Sequence, residues 1–207
     1  MKREDINIRN IVLFIIGFVL LAFGITTSIL SGIGADPWNS LFAHMAEIAN
    51  LSVGTMIILI GILFLILGGA LVGRRPRFEA IITNIAIGFA VDTCLLFIPV
   101  VDTMALQLLY YVSAIILVPV GVSFLIISKF PPTPIEILFL SFKEAIGLDY
   151  AKSRYLLDAI ILLFAVITGL IAFGNLGSVN FGTIGFALTT GIILSTSLKI
   201  VNSLLKK

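Results

Sequence analysis

Charge is scarce in this chain, and so are the residues on which metal centres and redox sites depend. Only 12% of its 207 residues are Asp, Glu, Lys or Arg, about half of the ~25% usual for a soluble domain. A surface facing water could not be covered with so few charges, whereas a surface facing lipid has no use for more. Cysteine occurs once, at Cys94, and histidine once, at His44. The lone cysteine excludes an intrachain disulfide, a CxxC redox pair and a thiolate metal cluster. A single histidine cannot supply the paired ligands of a transmembrane haem or a metal cluster. P-loop, HExxH, GxSxG and Gly-rich dinucleotide patterns are all missing. The reading is therefore of a protein that is not an enzyme and uses no cofactor, metal or nucleic acid.

What fills the space is apolar: 59% of residues are hydrophobic and the mean hydropathy is +1.20. That composition marks an integral membrane protein, with membrane lipids as its first partners. About 18 consecutive apolar residues suffice to cross a ~30 Å hydrocarbon core as a helix. Six such runs occur, at roughly 11–31, 54–73, 80–98, 104–128, 155–173 and 181–198. The first passes into Gly32-Ile33-Gly34-Ala35-Asp36-Pro37 without a small-residue cleavage site, so it is read as a permanent span rather than a signal peptide.

Placing the amino terminus inside puts every basic residue on that side. Lys2, Arg3 and Arg9 precede the first run, and Arg74, Arg75 and Arg77 follow the second. Lys129, Lys143, Lys152 and Arg154 lie between the fourth and fifth, and Lys199, Lys206 and Lys207 close the chain. The segments 32–53, 99–103 and 174–180 hold none of the 13 Lys and Arg residues. By the positive-inside rule the chain is a multi-pass protein of the cell (inner) membrane with both termini cytoplasmic. A further crossing would destroy the partition. The stretch GIGADPWNSLFAHMAEIAN, residues 32–50, therefore enters and leaves on the outer side.

Sliding the sequence along itself by 97 positions lays that stretch on PPTPIEILFLSFKEAIG, residues 131–147. Gly24 meets Gly121, Ser31 meets Ser128, Pro37 meets Pro134, Leu41-Phe42 meets Leu138-Phe139 and Glu47 meets Glu144. Asp36 and Thr133 are each a capping residue followed by Pro at the first helical position. Thr133 with Glu136 makes a capping box, and Asn50 and Gly147 are the types that close a helix in the left-handed conformation. Each half thus predicts a capped helix of about 13 residues, near 20 Å long and too short to cross. The first is amphipathic, with Trp38, Leu41, Phe42, Met45 and Ile48 opposite Ser40, His44 and Glu47. Widening the offset to 103 aligns the last spans, so that Asn84, Gly88 and Asp92 meet Ala187, Gly191 and Ser195.

The fold class is accordingly all-α: one membrane domain over 1–207, six transmembrane helices as two repeats of three spans, each with a short non-crossing helix. Repeat one covers about 8–99 and repeat two about 104–203. Three crossings separate equivalent points, so the repeats are inverted, an architecture many secondary transporters use to build a midplane solute site.

GIGADPWN, the following Gly54-Thr55 and TNIAIGFAVD resemble the YczE/YyaS/YitT family of bacterial integral membrane proteins, through Gly34, Asp36, Pro37, Trp38, Asn84, Gly88 and Asp92. In the second half the resemblance rests on Gly182-Thr183-Ile184, and at Phe78-Glu79-Ala80 the chain departs from the Gly-Thr pair more usual there. What the resemblance implies is a small polytopic inner-membrane protein without a defined activity.

The candidate solute-binding residues are Asp92, Asn84, Gly88, Asp36, Trp38, Asn39 and Thr133. Asp92 leads, because an ionisable group inside a span usually faces the bundle interior or a cavity and can carry a proton. With Asn84 and Gly88 it forms one stripe at four-residue spacing; the competing reading is a packing device. Asp158 follows Arg154 by four residues and reads as a neutralised ion pair, and His44 with Glu47 as a hydrated outer face. The function that fits is a permease-like transporter of a small solute, with protons as a coupling candidate. The alternative is a membrane scaffold, regulatory protein or substrate-capture subunit. It would dock a partner or a second copy through small-residue rows such as Gly17 to Gly24 or Gly69 to Gly73.

Overall fold

The computed structural model describes residues 7–205, and every regular element among them is a helix. The order is α1 (Ile8–Leu30), α2 (Pro37–Ala49), α3 (Val53–Leu71), α4 (Ala80–Phe97), α5 (Met104–Ile127), α6 (Pro134–Ile146), α7 (Tyr150–Phe173) and α8 (Phe181–Leu205). Six of them, all but α2 and α6, are long and apolar enough to cross a membrane. Lys2, Arg3, Lys206 and Lys207, used above to orient the chain, lie outside the described residues.

Two boundaries differ from those read off hydropathy by five residues or more. α7 begins at Tyr150 rather than 155, because the Asp149 side chain accepts from Lys152 N and starts the helix before its apolar stretch. α8 continues past 198 through Lys199 and Ser203, polar residues that end an apolar run without ending a helix.

The short helices are 13 residues each, as their caps predict. Asp36 accepts from Trp38 N and Thr133 from Glu136 N, while Asn50 (φ 52) and Gly147 (φ 69) close the helices in the left-handed conformation. They do not lie flat along a surface. α2 runs beside α7: Trp38 bonds Asp158, and one to two turns later His44 bonds Ala165 O. Asp158 lies eight residues into α7, about 12 Å along its axis, so α2 starts deep and ends near the face where α7 ends. α6 runs beside α3 in the same manner. Its start shares a cavity with Gly61, Ser141 faces Gly68, and at its end Glu144 pairs with Arg74. α6 therefore ends on the face that carries the first residues of α1 and the last of α8, called here the terminal face.

α1 and α5 cross at the centre, where glycines bring the backbones together. A Cβ on Gly17 would lie 2.8 Å from Gly121 O, and one on Gly121 would lie 2.7 Å from Leu21 N. α4 packs against α1 and α3, and α8 against α5, whereas α7 and α8 barely touch each other. Leu21, Trp38, Phe42, Phe64, Phe139 and Phe186 form the middle of the core.

The structure corrects one surface prediction. His44 and Ser40 are fully buried rather than hydrated, although Glu47 is exposed. His44 Nδ1–H donates to Ala165 O at 2.8 Å, so Nε2 is the acceptor and receives Ser178 N at 3.0 Å and Ser178 Oγ at 2.9 Å. Burial lowers its pKa, which favours this neutral form. The histidine is a staple joining α2, α7 and the segment before α8.

Candidate functional site

The deep starts of α2 and α6 meet at one cavity of about 80 Å³. From α2 it receives Asp36, Trp38, Asn39 and Phe42, and from α6 Thr133, Ile135, Glu136 and Phe139. α1 supplies Leu21 and Ile25, α3 Ile57 and Gly61, α4 Asn84, α5 Val122, α7 Arg154 and α8 Thr190. Every one of the eight helices contributes.

One wall is an aromatic and ionic cluster. Trp38 Nε1 donates to Asp158 Oδ1 at 2.7 Å, and Asp158 Oδ2 lies 3.8 Å from Arg154 Nε. The Arg154 guanidinium sits 4.7 Å above the Phe139 ring, whose face attracts a cation. Phe139 and Phe64 hold the indole at 5.3 and 5.4 Å between centroids. The i,i+4 pairing of Arg154 with Asp158 is thus as predicted, but the pair is built into the core beside the cavity.

Asp36 caps α2 with one carboxyl oxygen, and its remaining exposure is to the cavity. Its pKa is raised to about 7, chiefly by burial and next by the charge of Asp158; Arg154 and the amides of Asn39 and Trp38 oppose the rise. Asn39 is 3% exposed, and its Nδ2 has no hydrogen-bond partner. A buried donor left unmatched costs about 1–3 kcal/mol, which makes this amide notable on a cavity wall.

Of the seven residues singled out from sequence, Asp36, Trp38, Asn39, Asn84 and Thr133 meet at this cavity, and Gly88 and Asp92 do not. Asp92 is not deep in a span: it stands near the end of α4 and accepts from Ser52 Oγ at 2.6 Å and Gly54 N at 2.7 Å, closing the start of α3. Gly88 lets α3 approach, for a Cβ there would lie 2.6 Å from Gly54 O. Asn84 reaches the cavity edge while its Nδ2 donates to Ile57 O and Ile58 O, both at 3.1 Å. The threonines of α1 bond their own helix, Thr26 to Ala22 O and Thr27 to Phe23 O.

Arg154 and Glu136 are the residues that sequence reasoning placed elsewhere, the first as a topology signal and the second as a cap. Both also line a second, larger cavity of about 560 Å³ with Tyr155, Gly191, Ser195 and Leu198. It occupies the gap between α7 and α8 in the terminal half of the molecule. The sequence signal that could have found Arg154 is a basic residue one turn before a buried carboxylate at the head of an apolar run.

Comparison with known proteins adds kinship without an activity. The family described as "Family of unknown function (DUF6198)" matches residues 8–199. The Bacillus subtilis (strain 168) protein called "Uncharacterized protein YyaS" is 28% identical over 171 residues, covering 81% of this chain and 85% of its own length. "Uncharacterized membrane protein YczE" of the same strain is 26% identical over 183 residues, covering 88% of this chain and 82% of its own. No solved structure matches. The chain belongs to the DUF6198 family, and its likeness to YyaS and YczE agrees with the resemblance read from GIGADPWN.

Proposed function

We propose that this member of the DUF6198 family is a transporter that carries a small solute through the central cavity by alternating access. The observation that carries the reading is the convergence of two non-crossing helices, each beside a span of the other half, on one mainly apolar cavity into which their starts bring Asp36, Asn39 and Thr133. Interrupted segments whose starts meet at a shared site are the means by which transporters of inverted repeats bind solute. In this reading the repeats are α1–α4 and α5–α8, inserted with opposite orientation, and both termini are cytoplasmic. The terminal face is then the inner one. The cavity between α7 and α8 is the inner vestibule, Arg154 and Glu136 stand between vestibule and site, and the α3–α4 seam is the closed outer gate. Nothing in the chain binds a nucleotide by a known motif, so a gradient drives the cycle.

Two measurements test the reading without a known solute. In a Cys94→Ala background, Leu51→Cys and Leu148→Cys should react with an impermeant thiol reagent from opposite faces of the membrane; reaction from one face refutes the inverted arrangement. Val122→Cys, on the cavity wall, should be reached from the terminal face rapidly and from the other face slowly. A cavity never reached from the second face would refute alternating access. Recovery of a stable stoichiometric partner in gentle detergent, with that cavity sealed, would favour the scaffold or capture-subunit reading instead.

A further inference from the structure

We propose that the groove between α3 and α6 on the terminal face is a binding site for an anionic phospholipid, with the phosphate on Arg75 and an acyl chain against Val72 and Leu140. The groove has a volume of about 270 Å³ and shares no lining residue with the central cavity, so the site stands whether or not the protein carries a solute.

The end of α3 builds the cationic rim. Gly73, at φ 63, lets its own N–H donate to Ala70 O at 3.3 Å and that of Arg74 to Gly69 O at 2.9 Å, the paired bonds that close a helix around a left-handed glycine. A Cβ on Gly69 would lie 2.7 Å from Arg74 O and 3.1 Å from Pro76 N. The bare Gly69 thus lets the chain after Gly73 fold back over α3 and carry its arginines to the groove. On the other wall a Cβ on Gly68 would lie 3.3 Å from Ser141 Oγ, so this glycine admits α6. The small-residue row from Gly69 to Gly73, read from sequence as a surface for a partner helix, is covered at Gly69 by the chain's own loop.

Three arginines and one glutamate line the groove. Arg74 is taken by both oxygens of Glu144, and Arg77 pairs with Glu79 at 3.1 Å. Arg75 is exposed and, among the described residues, makes no hydrogen bond or ion pair, so it is the guanidinium left to receive a ligand. Its planar fork suits the oxygens of a phosphate. The excess of positive charge disfavours a cationic ligand, and a choline headgroup would bring its trimethylammonium against it. A free phosphate would answer Arg75 but leave the apolar walls at Val72 and Leu140 against water. Leu67 and Leu71, beside the groove on α3, are 44% and 45% exposed on a helix long and apolar enough to span. That surface continues the groove for an acyl chain, and basic pockets at the ends of spans are where anionic headgroups dock.

The test uses the purified full chain in a neutral detergent, with phospholipids of matched acyl chains added. Phosphatidylglycerol should raise the thermal midpoint and be retained as one molecule per chain in native mass spectra, whereas phosphatidylcholine should do neither. Arg75→Gln should weaken retention of phosphatidylglycerol about fivefold, the effect of one basic residue at a charged lipid surface. Lys199→Gln, which removes an exposed charge near the end of α8 on the same face, should leave retention unchanged. The comparison of lipids on the unaltered chain decides the matter if Arg75→Gln does not fold. Equal effects of the two lipids, or equal losses from Arg75→Gln and Lys199→Gln, would mean a diffuse attraction of lipid to a basic face and overturn the site. Inorganic phosphate or glycerol 3-phosphate that stabilised the chain as strongly as phosphatidylglycerol at the same concentration would assign the groove to a soluble anion and overturn the lipid.

Discussion

The seam between α3 and α4 and the seam between α7 and α8 stand at matching places in the two halves of the chain, yet one is shut and the other gapes. At the first, Asp92 accepts from Ser52 and Gly54, Asn84 donates to two carbonyls of α3, and Gly54 and Gly88 let the backbones meet. At the positions that the 103-residue offset assigns to Asn84, Gly88 and Asp92 stand Ala187, Gly191 and Ser195. Ala187 has no group to donate, and Ser195 Oγ donates to Ile192 O of its own helix. Gly191 and Ser195 line the 560 Å³ cavity instead of a contact. The difference teaches that a handful of polar groups decides which seam closes. In the proposed cycle it identifies this conformation as open toward the terminal face.

Glycine substitutions should separate the two seams most strongly. A Cβ on Gly54 would run into Gly88 O and the Asp92 carboxyl, whereas the nearest atom to a Cβ on Gly191 is Tyr155 Oη at 4.0 Å. Overpacking a tight contact costs about 1–3 kcal/mol. Gly54→Val should therefore lower the thermal midpoint in detergent markedly, and Gly191→Val should leave it within about 0.5 kcal/mol of wild type. Equal losses would erase the distinction. Asp92→Ala comes next, because it removes two hydrogen bonds and the tie to the start of α3, for about 1–2 kcal/mol. Ser195→Ala should cost under about 0.5 kcal/mol. Asp92→Ala should also quicken labelling of Val122→Cys from the face opposite the termini; an unchanged rate would mean that the seam is not a gate.

These contrasts also show where the sequence was legible. Span count, the two short helices and their caps follow from local rules: an 18-residue apolar run, Asp or Thr before Pro, Asn or Gly at the end. The cavity lining was legible where the same rules reach it, for Asp36, Trp38, Asn39 and Thr133 all stand at helix starts. Asp92 was mistaken for a deep charge because its depth depends on where α4 ends and on Ser52 and Gly54, 40 and 38 residues earlier. Arg154 and Glu136 were missed because what they face is decided by the packing of α6 against α3 and α7. His44 was misread for the same reason: its partners, Ala165 and Ser178, are more than 120 residues away.

A smaller effect links the seam to the cavity through pH. Asp36 has a raised pKa of about 7 in the folded protein against 3.8 for the ordinary carboxyl, so between those values the folded state holds the proton more tightly than the unfolded one. Its stabilising contribution is complete below about pH 4 and is lost as pH rises through about 7. The thermal midpoint should therefore fall between about pH 5 and about pH 7.5, and Asp36→Asn should flatten the fall. Because burial is the largest cause of the shift, Gly54→Val should flatten it too if opening the α3–α4 seam wets the cavity. A slope that survives Asp36→Asn would assign the titration to another group.

The smallest predicted effect lies on the terminal face, where Arg74 and Glu144 join the ends of α3 and α6. The pair is bidentate, with Arg74 Nη1 and Nη2 donating to Glu144 Oε2 and Oε1 at 3.0 and 2.8 Å, but both side chains are more than half exposed. Exposed ion pairs contribute about 0–1 kcal/mol and are screened by salt. Glu144→Gln should accordingly shift the midpoint by less than about 1 kcal/mol at low ionic strength and by nothing measurable near 1 M salt, where the screening length falls to about 3 Å. The pair nevertheless bears on the two seams, because it holds α6 to α3 while α7 stands away from α8. If Glu144→Gln slowed labelling of Val122→Cys from the terminal face as well, that surface pair would be part of what keeps the α7–α8 seam open. If labelling is unchanged, the opening is set by the buried side alone, by the clasp that α3 and α4 have and that α7 and α8 lack.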